Sequence, residues 1–115
     1  MPAVEVTCEY VDWWNTLTEQ EQDEATAVIE LLQERGVQLR FPHSSGIEGS
    51  KHAHMRELRI QAHGDPIRIF YAFDPRRVAV LLIGGCKSGK GNRFYPEMIR
   101  LAERLYDEHL ASLQL

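Results

Sequence analysis

Met55-Arg-Glu-Leu-Arg-Ile-Gln-Ala62, Ile67-Arg-Ile-Phe-Tyr-Ala-Phe73 and Val78-Ala-Val-Leu-Leu-Ile83 decide the fold, together with the links His63-Gly-Asp-Pro66 and Asp74-Pro-Arg-Arg77. The three runs read as strands, and the four-residue links are rich in turn formers. Links that short force antiparallel neighbours, so the strands form a meander. Val78–Ile83 is apolar at every position, which makes it the central strand. Upstream, Val4, Val6, Cys8 and Tyr10 alternate with Ala3, Glu5, Thr7 and Glu9, predicting a further strand over Ala3–Tyr10, docked beside the central one. A turn through Asp12–Asn15 follows. Thr18 and Glu21 form a capping box, Ala25, Val28, Ile29 and Leu32 recur at helical spacing, and Gly36 is a natural stop. A helix is therefore expected from Thr18 to Arg35. Val37–His54 reads as irregular and Gly84–Arg93 as a glycine-rich basic loop. Pro96 fits the first position of a final helix lined by Met98, Ala102, Leu105, Tyr106, His109 and Leu113. The order β-α-β-β-β-α predicts an α+β fold, an antiparallel meander sheet packed by helices.

At 115 residues the expectation is one domain over residues 1–115. With 43% apolar residues and no apolar run longer than Val78–Ile83, neither a membrane span of ~20 residues nor a disordered chain is expected. No signal segment is read at the start. Two cysteines, Cys8 and Cys86, make no disulfide framework and suit a reducing cytoplasm.

The net charge of −4 hides a segregated pattern. Residues 1–34 hold nine acids and no Lys or Arg, residues 35–95 hold eleven Lys/Arg against four acids, and four of the five histidines join the basic stretch. Such a field suits an anionic partner, although an acidic helix packed beside a basic sheet also neutralises it.

Gly84-Gly-Cys-Lys-Ser-Gly89-Lys90-Gly91 nearly spells a phosphate-binding P-loop, but Gly91 stands where the motif needs a hydroxyl for Mg²⁺. Nucleotide hydrolysis drops out, leaving a basic loop with Lys87, Lys90 and Arg93. His52 and His54 at i, i+2 point to opposite faces in an extended segment, and no metal site is expected. Trp13 and Trp14 suit packing a helix onto a sheet edge.

The sheet itself gives a sharper constellation. Four-residue turns pair Ala62 with Ile67 and Phe73 with Val78, placing Ile83 opposite Arg68. Arg59 and Arg68 then project from one face as diagonal neighbours, roughly 7–8 Å apart, with Lys87 in reach. Two guanidiniums and an ammonium suit a phosphodiester. The alternative is that Glu57 pairs with one arginine while the others are solvated. Arg68 is expected on a polar surface patch, where truncation shifts stability by no more than about 0.5 kcal/mol.

Three pieces in order resemble a known family: Gly49-Ser-Lys51-His52-Ala-His54-Met-Arg56-Glu-Leu-Arg59, then Arg68-Ile-Phe-Tyr71-Ala-Phe-Asp74-Pro, then Leu82-Ile-Gly84-Gly-Cys-Lys87. The tail from Phe94-Tyr95 through Leu105-Tyr106 to His109-Leu110 adds to the likeness. The chain resembles the RelE/ParE toxin superfamily, nearest the phage-derived, HigB-like toxins of type II toxin–antitoxin systems. That resemblance implies a RelE-like fold and metal-independent, cofactor-free cleavage of mRNA on the ribosome. It also implies neutralisation by a small cognate antitoxin, often a helix-turn-helix protein, and no membrane partner. Two alternatives stand beside it, a ParE-like gyrase-binding toxin without enzymatic activity and a phage-derived interaction module whose active site has decayed.

Residue by residue, the likeness matches Arg59 to the arginine of Glu-Leu-Arg, Arg68 to the one opening the next strand, and Lys87 to the lysine after the last strand. Cys86 stands where relatives often carry an acid or aromatic. RNA supplies its own nucleophile, the 2′-OH, so the protein must stabilise charge and move two protons. Arg59, Arg68 and Lys87 suit the charge. His52, His54 and Tyr95 are the candidates for proton transfer, and Tyr95 equally suits stacking on a base. The candidate catalytic set is Arg59, Arg68, Lys87, Tyr95 and His54, with Lys51, His52, Arg56, Lys90 and Arg93 as RNA contacts.

Overall fold

The computed structural model describes residues 3–114. Along the chain run β1 (Val4–Val6), α1 (Cys8–Trp14), α2 (Glu19–Arg35), β2 (Ser44–Gly46), β3 (Arg56–Ala62), β4 (Asp65–Phe73), β5 (Ala79–Cys86) and α3 (Phe94–Ser112). The five strands make one sheet in the order β1-β5-β4-β3-β2. β1 lies parallel to β5 and every other pair is antiparallel. The α+β class and the meander of β3, β4 and β5 are as expected, with β5 between β1 and β4.

Besides Gly84–Cys86, which lengthen β5 instead of opening the glycine-rich loop, the sequence misplaces three details. The strand expected over Ala3–Tyr10 stops at Val6, and Cys8–Trp14 is helix where strand and turn were read. Thr7 makes the switch: its hydroxyl accepts from the Tyr10 backbone N–H at 2.9 Å, capping α1, and donates to the Leu82 carbonyl at 2.7 Å. Tyr10, Trp13 and Trp14, at i, i+3 and i+4, then stack on one helical face, with ring centroids 5.5 and 6.0 Å from Tyr10. Second, Ser44–Gly46, read as irregular, is an edge strand paired with Gly46↔Arg56 and Ser44↔Leu58. Third, Pro96 is the third residue of α3, because the helix already starts at Phe94. Lacking an N–H, it still costs nothing in the first turn.

Register differs at both hairpins. His63 and Gly64, with φ of 51° and 82°, close a two-residue turn, so Asp65 and Pro66 belong to β4. Ala62 therefore faces Asp65 instead of Ile67, and Arg59 stands directly opposite Arg68. Phe73 faces Ala79 instead of Val78, and a bulge at Phe70/Tyr71 brings Gly85, not Ile83, opposite Arg68.

Two cores result. On one sheet face Leu58, Ile60, Ile67, Ile69, Tyr71 and Leu81 pack against Tyr10 of α1 and Ala25, Val28 and Leu32 of α2. On the other, Phe70, Ala72, Val80, Leu82 and Ile83 meet Phe94, Ile99, Ala102, Leu105 and Tyr106 of α3. The α2 capping box is present, with Thr18 and Glu21 exchanging bonds of 2.8 and 3.1 Å. Among the described residues, no helix is long and apolar enough to cross a membrane.

Gly84 on β5 lies directly beneath the Trp13 ring, where a Cβ would collide with three ring carbons. Gly84→Ala should therefore destabilise the protein by about 1–3 kcal/mol through overpacking. A lower urea midpoint at unchanged slope is the expected readout, and a wild-type midpoint would contradict the packing described.

Candidate active site

α3 begins only at Phe94, so it covers the β4–β5 half of its sheet face and leaves the β3 half open. Glu57, Arg59 and Gln61 alternate along that open half, since every second residue of β3 points there. Arg68 of β4 joins them. The backbone N–H of Arg59 donates to the His43 carbonyl at 2.9 Å, on the side away from β4. Arg59 and Arg68 are therefore a non-hydrogen-bonded cross-strand pair, the closer type, with Cα atoms about 4.5 Å apart. They are direct rather than diagonal neighbours.

Like charges in that position repel. Glu57, only 4% exposed, supplies the counter-charge. Its Oε1 accepts from the Tyr95 hydroxyl at 2.8 Å and lies 3.6 Å from Arg68 Nε. Its Oε2 accepts from Ser45 Oγ at 2.9 Å and from Arg59 Nη1 at 3.3 Å. One carboxylate thus gathers two guanidiniums and two hydroxyls from β2, β3, β4 and α3. Glu57 does not pair with one arginine alone.

The two arginines differ in access. Arg68 is 5% exposed, its Nη1 donates to the Ile67 carbonyl at 3.0 Å, and its Nε has no hydrogen-bond acceptor within reach. It is buried, contrary to the expected surface patch, with the Glu57 carboxylate beside it to compensate its charge. Arg59 keeps 29% of its side chain in solvent, and its guanidinium lies 5.1 Å from the Phe41 ring centroid. Lys87 holds its ammonium 5.2 Å from the Tyr95 ring centroid. Burial pushes the Tyr95 hydroxyl pKa up, the Glu57 charge adds to the rise, and Arg68 opposes it. Tyr95 therefore stays protonated at neutral pH. A cleft of about 300 Å³ opens on Glu57 and Tyr95 beside Gly46, Ile47 and Glu48.

Four candidates thus converge: Arg59, Arg68, Lys87 and Tyr95. The histidines do not join them. His54 Nε2 meets the Tyr106 hydroxyl at 3.0 Å, and that hydroxyl donates to the Phe73 carbonyl. His52 and Lys51 both bind Asp107 of α3, at 2.8 and 2.6 Å. Arg56 points to the opposite sheet face, where it donates to Ser44 Oγ at 3.0 Å. Lys90 and Arg93 are exposed, in the segment before α3. Glu57 and Ser45, which gather the cluster, were not singled out as site residues. The signal for Glu57 is an acid two residues before Arg59, on the same strand face; Ser45 has none.

Among the described residues no group of three or more His, Cys, Asp or Glu is arranged to hold a metal. A larger groove of about 400 Å³, between β1, α1 and α2, lies on the far sheet face. It is lined mostly by apolar side chains such as Val6, Val11 and Ile29, and no cationic cluster lines it.

Residues 12–107 match the family described as "Phage derived protein Gp49-like (DUF891)". Among curated proteins the chain is similar to two from Mycobacterium tuberculosis. It is 38% identical over 103 residues to "Putative toxin HigB2", covering 89% of this chain and 51% of that protein. It is 37% identical over 100 residues to "Putative toxin HigB3", covering 87% and 86%. The chain thus spans about half the length of the first of these relatives. Among solved structures, the archaeal RelE–RelB complex from Pyrococcus horikoshii contains a chain that superposes with a TM-score of 0.55 at 16% identity, covering 76% of this chain and 97% of that one. That likeness is one of fold, and it is the RelE fold.

The buried charge cluster makes a stability prediction. Arg68→Ala removes one of two guanidiniums from a buried carboxylate and should cost about 3 kcal/mol, the lower end for breaking a buried ion pair, since Arg59, Ser45 and Tyr95 remain. Combining it with Glu57→Gln should cost less than the two single losses together. Strict additivity in chemical denaturation would show that the two groups do not interact.

Proposed function

The chain belongs to the Gp49-like family of phage-derived proteins, and from that membership we propose that it is the toxin of a toxin–antitoxin module, an endoribonuclease that cuts mRNA at the ribosome. The observation that carries the reading is the Glu57 carboxylate holding Arg59, Arg68 and the Tyr95 hydroxyl at the open end of a sheet, with Lys87 alongside. The names of the two mycobacterial relatives support the toxin reading. The RelE fold, seen in a RelE–RelB complex, supports an antitoxin as partner. The place of action is the cytoplasm.

The chemistry follows from RNA. The 2′-oxygen attacks the adjacent phosphorus, the bond to the 5′-oxygen breaks, and the products end in a 2′,3′-cyclic phosphate and a 5′-hydroxyl. Arg59, the accessible guanidinium, and Lys87 bind the non-bridging oxygens, where negative charge grows in the pentacoordinate state. Each such donor is worth about 3–4 kcal/mol of transition-state stabilisation. Arg68 acts from beneath by fixing Glu57. Tyr95 takes the 2′-OH proton while its own moves along the 2.8 Å hydrogen bond to Glu57. Lys87 gives a proton to the departing 5′-oxygen, and water restores both groups. The His54 and His52 side chains are engaged by Tyr106 and Asp107, which leaves Tyr95 as the proton-transfer group.

Inducing the protein without its partner should arrest growth and fragment mRNA within minutes. The purified protein, with mRNA-programmed ribosomes, should leave cyclic-phosphate ends. Tyr95→Phe should lower the cleavage rate by about 10²–10⁴-fold and keep RNA affinity. Arrest with intact mRNA and trapped gyrase–DNA complexes would replace this reading with the gyrase-directed one. Absence of arrest from a folded protein would leave an interaction module.

A further inference from the structure

Phe41 is a costly residue for a small protein to leave in water. It is 70% exposed, more than Val37, Val6 or Val11, the other large apolar side chains left in solvent among the described residues. Yet it is not loose. The Arg59 guanidinium covers its ring at 5.1 Å, and Arg59 is itself held by Glu57. The backbone bond from Arg59 to His43 ties the Phe41–His43 loop to β3. Phe41, Pro42, Arg59, Gln61 and Arg68 line a cleft of about 200 Å³, room for one nucleobase. Gln61 is exposed on the same strand face two residues beyond Arg59.

We propose that this cleft is a nucleobase subsite for single-stranded RNA. It rests on the ribonuclease reading above and adds to it where the base next to the cut phosphate goes. The base stacks on the open surface of the Phe41 ring, as bases do on aromatics in single-strand binders. Arg59 links the two events, with one guanidinium under the ring and over the phosphate path, so seating the base positions the phosphate. Gln61 supplies both an amide donor and a carbonyl acceptor at the cleft wall. It is placed to read the hydrogen-bonding edge of the base, and it makes the subsite selective.

The test uses fluorescein-labelled hexanucleotides with 2′-O-methyl riboses, which bind but cannot be cut, and matching oligomers with one abasic position scanned along the strand. Phe41→Ala should weaken binding of the intact oligomer about 5- to 150-fold by anisotropy, and Phe41→Trp should retain it. Since the lost contact is not ionic, the salt dependence should keep its slope. For wild type, one abasic position should cost as much as Phe41→Ala, and the variant should show no further loss there. Gln61→Ala should change the ranking of the four homopolymers. Additive losses, or wild-type affinity in Phe41→Ala, would overturn the subsite while leaving RNA cleavage standing. A wild-type protein that neither binds nor cuts RNA would overturn both readings. Because Phe41 is exposed, its truncation should leave the thermal midpoint in place, and a fallen midpoint together with lost RNA binding in both Phe41 variants would make it structural.

Discussion

Arg59 and Arg68 stand at the closest kind of cross-strand position, where two positive charges ought to push the strands apart. The sheet tolerates them because Glu57 lies one pleat away on the same face, buried, with a carboxylate oxygen turned toward each. Both oxygens are also hydrogen-bonded to hydroxyls, one from Ser45 at the sheet edge and one from Tyr95 at the start of α3. A buried carboxylate without such partners would cost several kcal/mol. Four separate elements are thereby fixed to one another through a single side chain. What reaches solvent is the surplus of positive charge over that one acid.

The shape of the molecule follows from how much of each sheet face the helices cover. α1 and α2 close one face with an apolar core, and α3 closes half of the other. Glycine at 84 lets Trp13 lie on the sheet, and glycine at 85 gives Phe94 and Met98 close approach beside Arg68. Starting α3 at Phe94 buries that ring and turns the next one, Tyr95, toward Glu57. The open half of the face is therefore bounded on one side by a rigid helix end. On the other it is bounded by the loop carrying Phe41.

Much of this was legible in the sequence, for reasons that individual residues make plain. For the hairpin from β3 to β4 the sequence suggests a turn two residues too long, yet it sets Arg59 and Arg68 on one face, as the register does. A slip of two preserves the faces of a strand, whereas a slip of one reverses them. At β4–β5 the start was off by one, and the bulge at Phe70/Tyr71 restored the expected face for Ile83. Local alternation failed at Cys8–Trp14 because the Thr7 cap, bonded to Leu82 across the fold, outweighed it. Ser44–Gly46 has no apolar alternation and is a strand only because β3 lies beside it. The roles of His52 and Lys51 depend on Asp107, more than fifty residues away in the chain and supplied by packing alone. Burial of Arg68 was invisible for the same reason.

The parallel pairing of β1 with β5 has a consequence in time. Thr7 and Leu82 are bonded across 75 residues of chain, so the first strand made has no partner until the last has been made. Tyr95 comes later still. Translation at roughly 5–20 residues per second puts seconds between the appearance of Arg59 and that of Tyr95. Through that interval the nascent chain carries Glu57 and its arginines without the Tyr95 hydroxyl and without the helix that closes the second core. The cluster of Glu57, Arg59, Arg68 and Tyr95 is thus joined only after the strands that carry its arginines have been made.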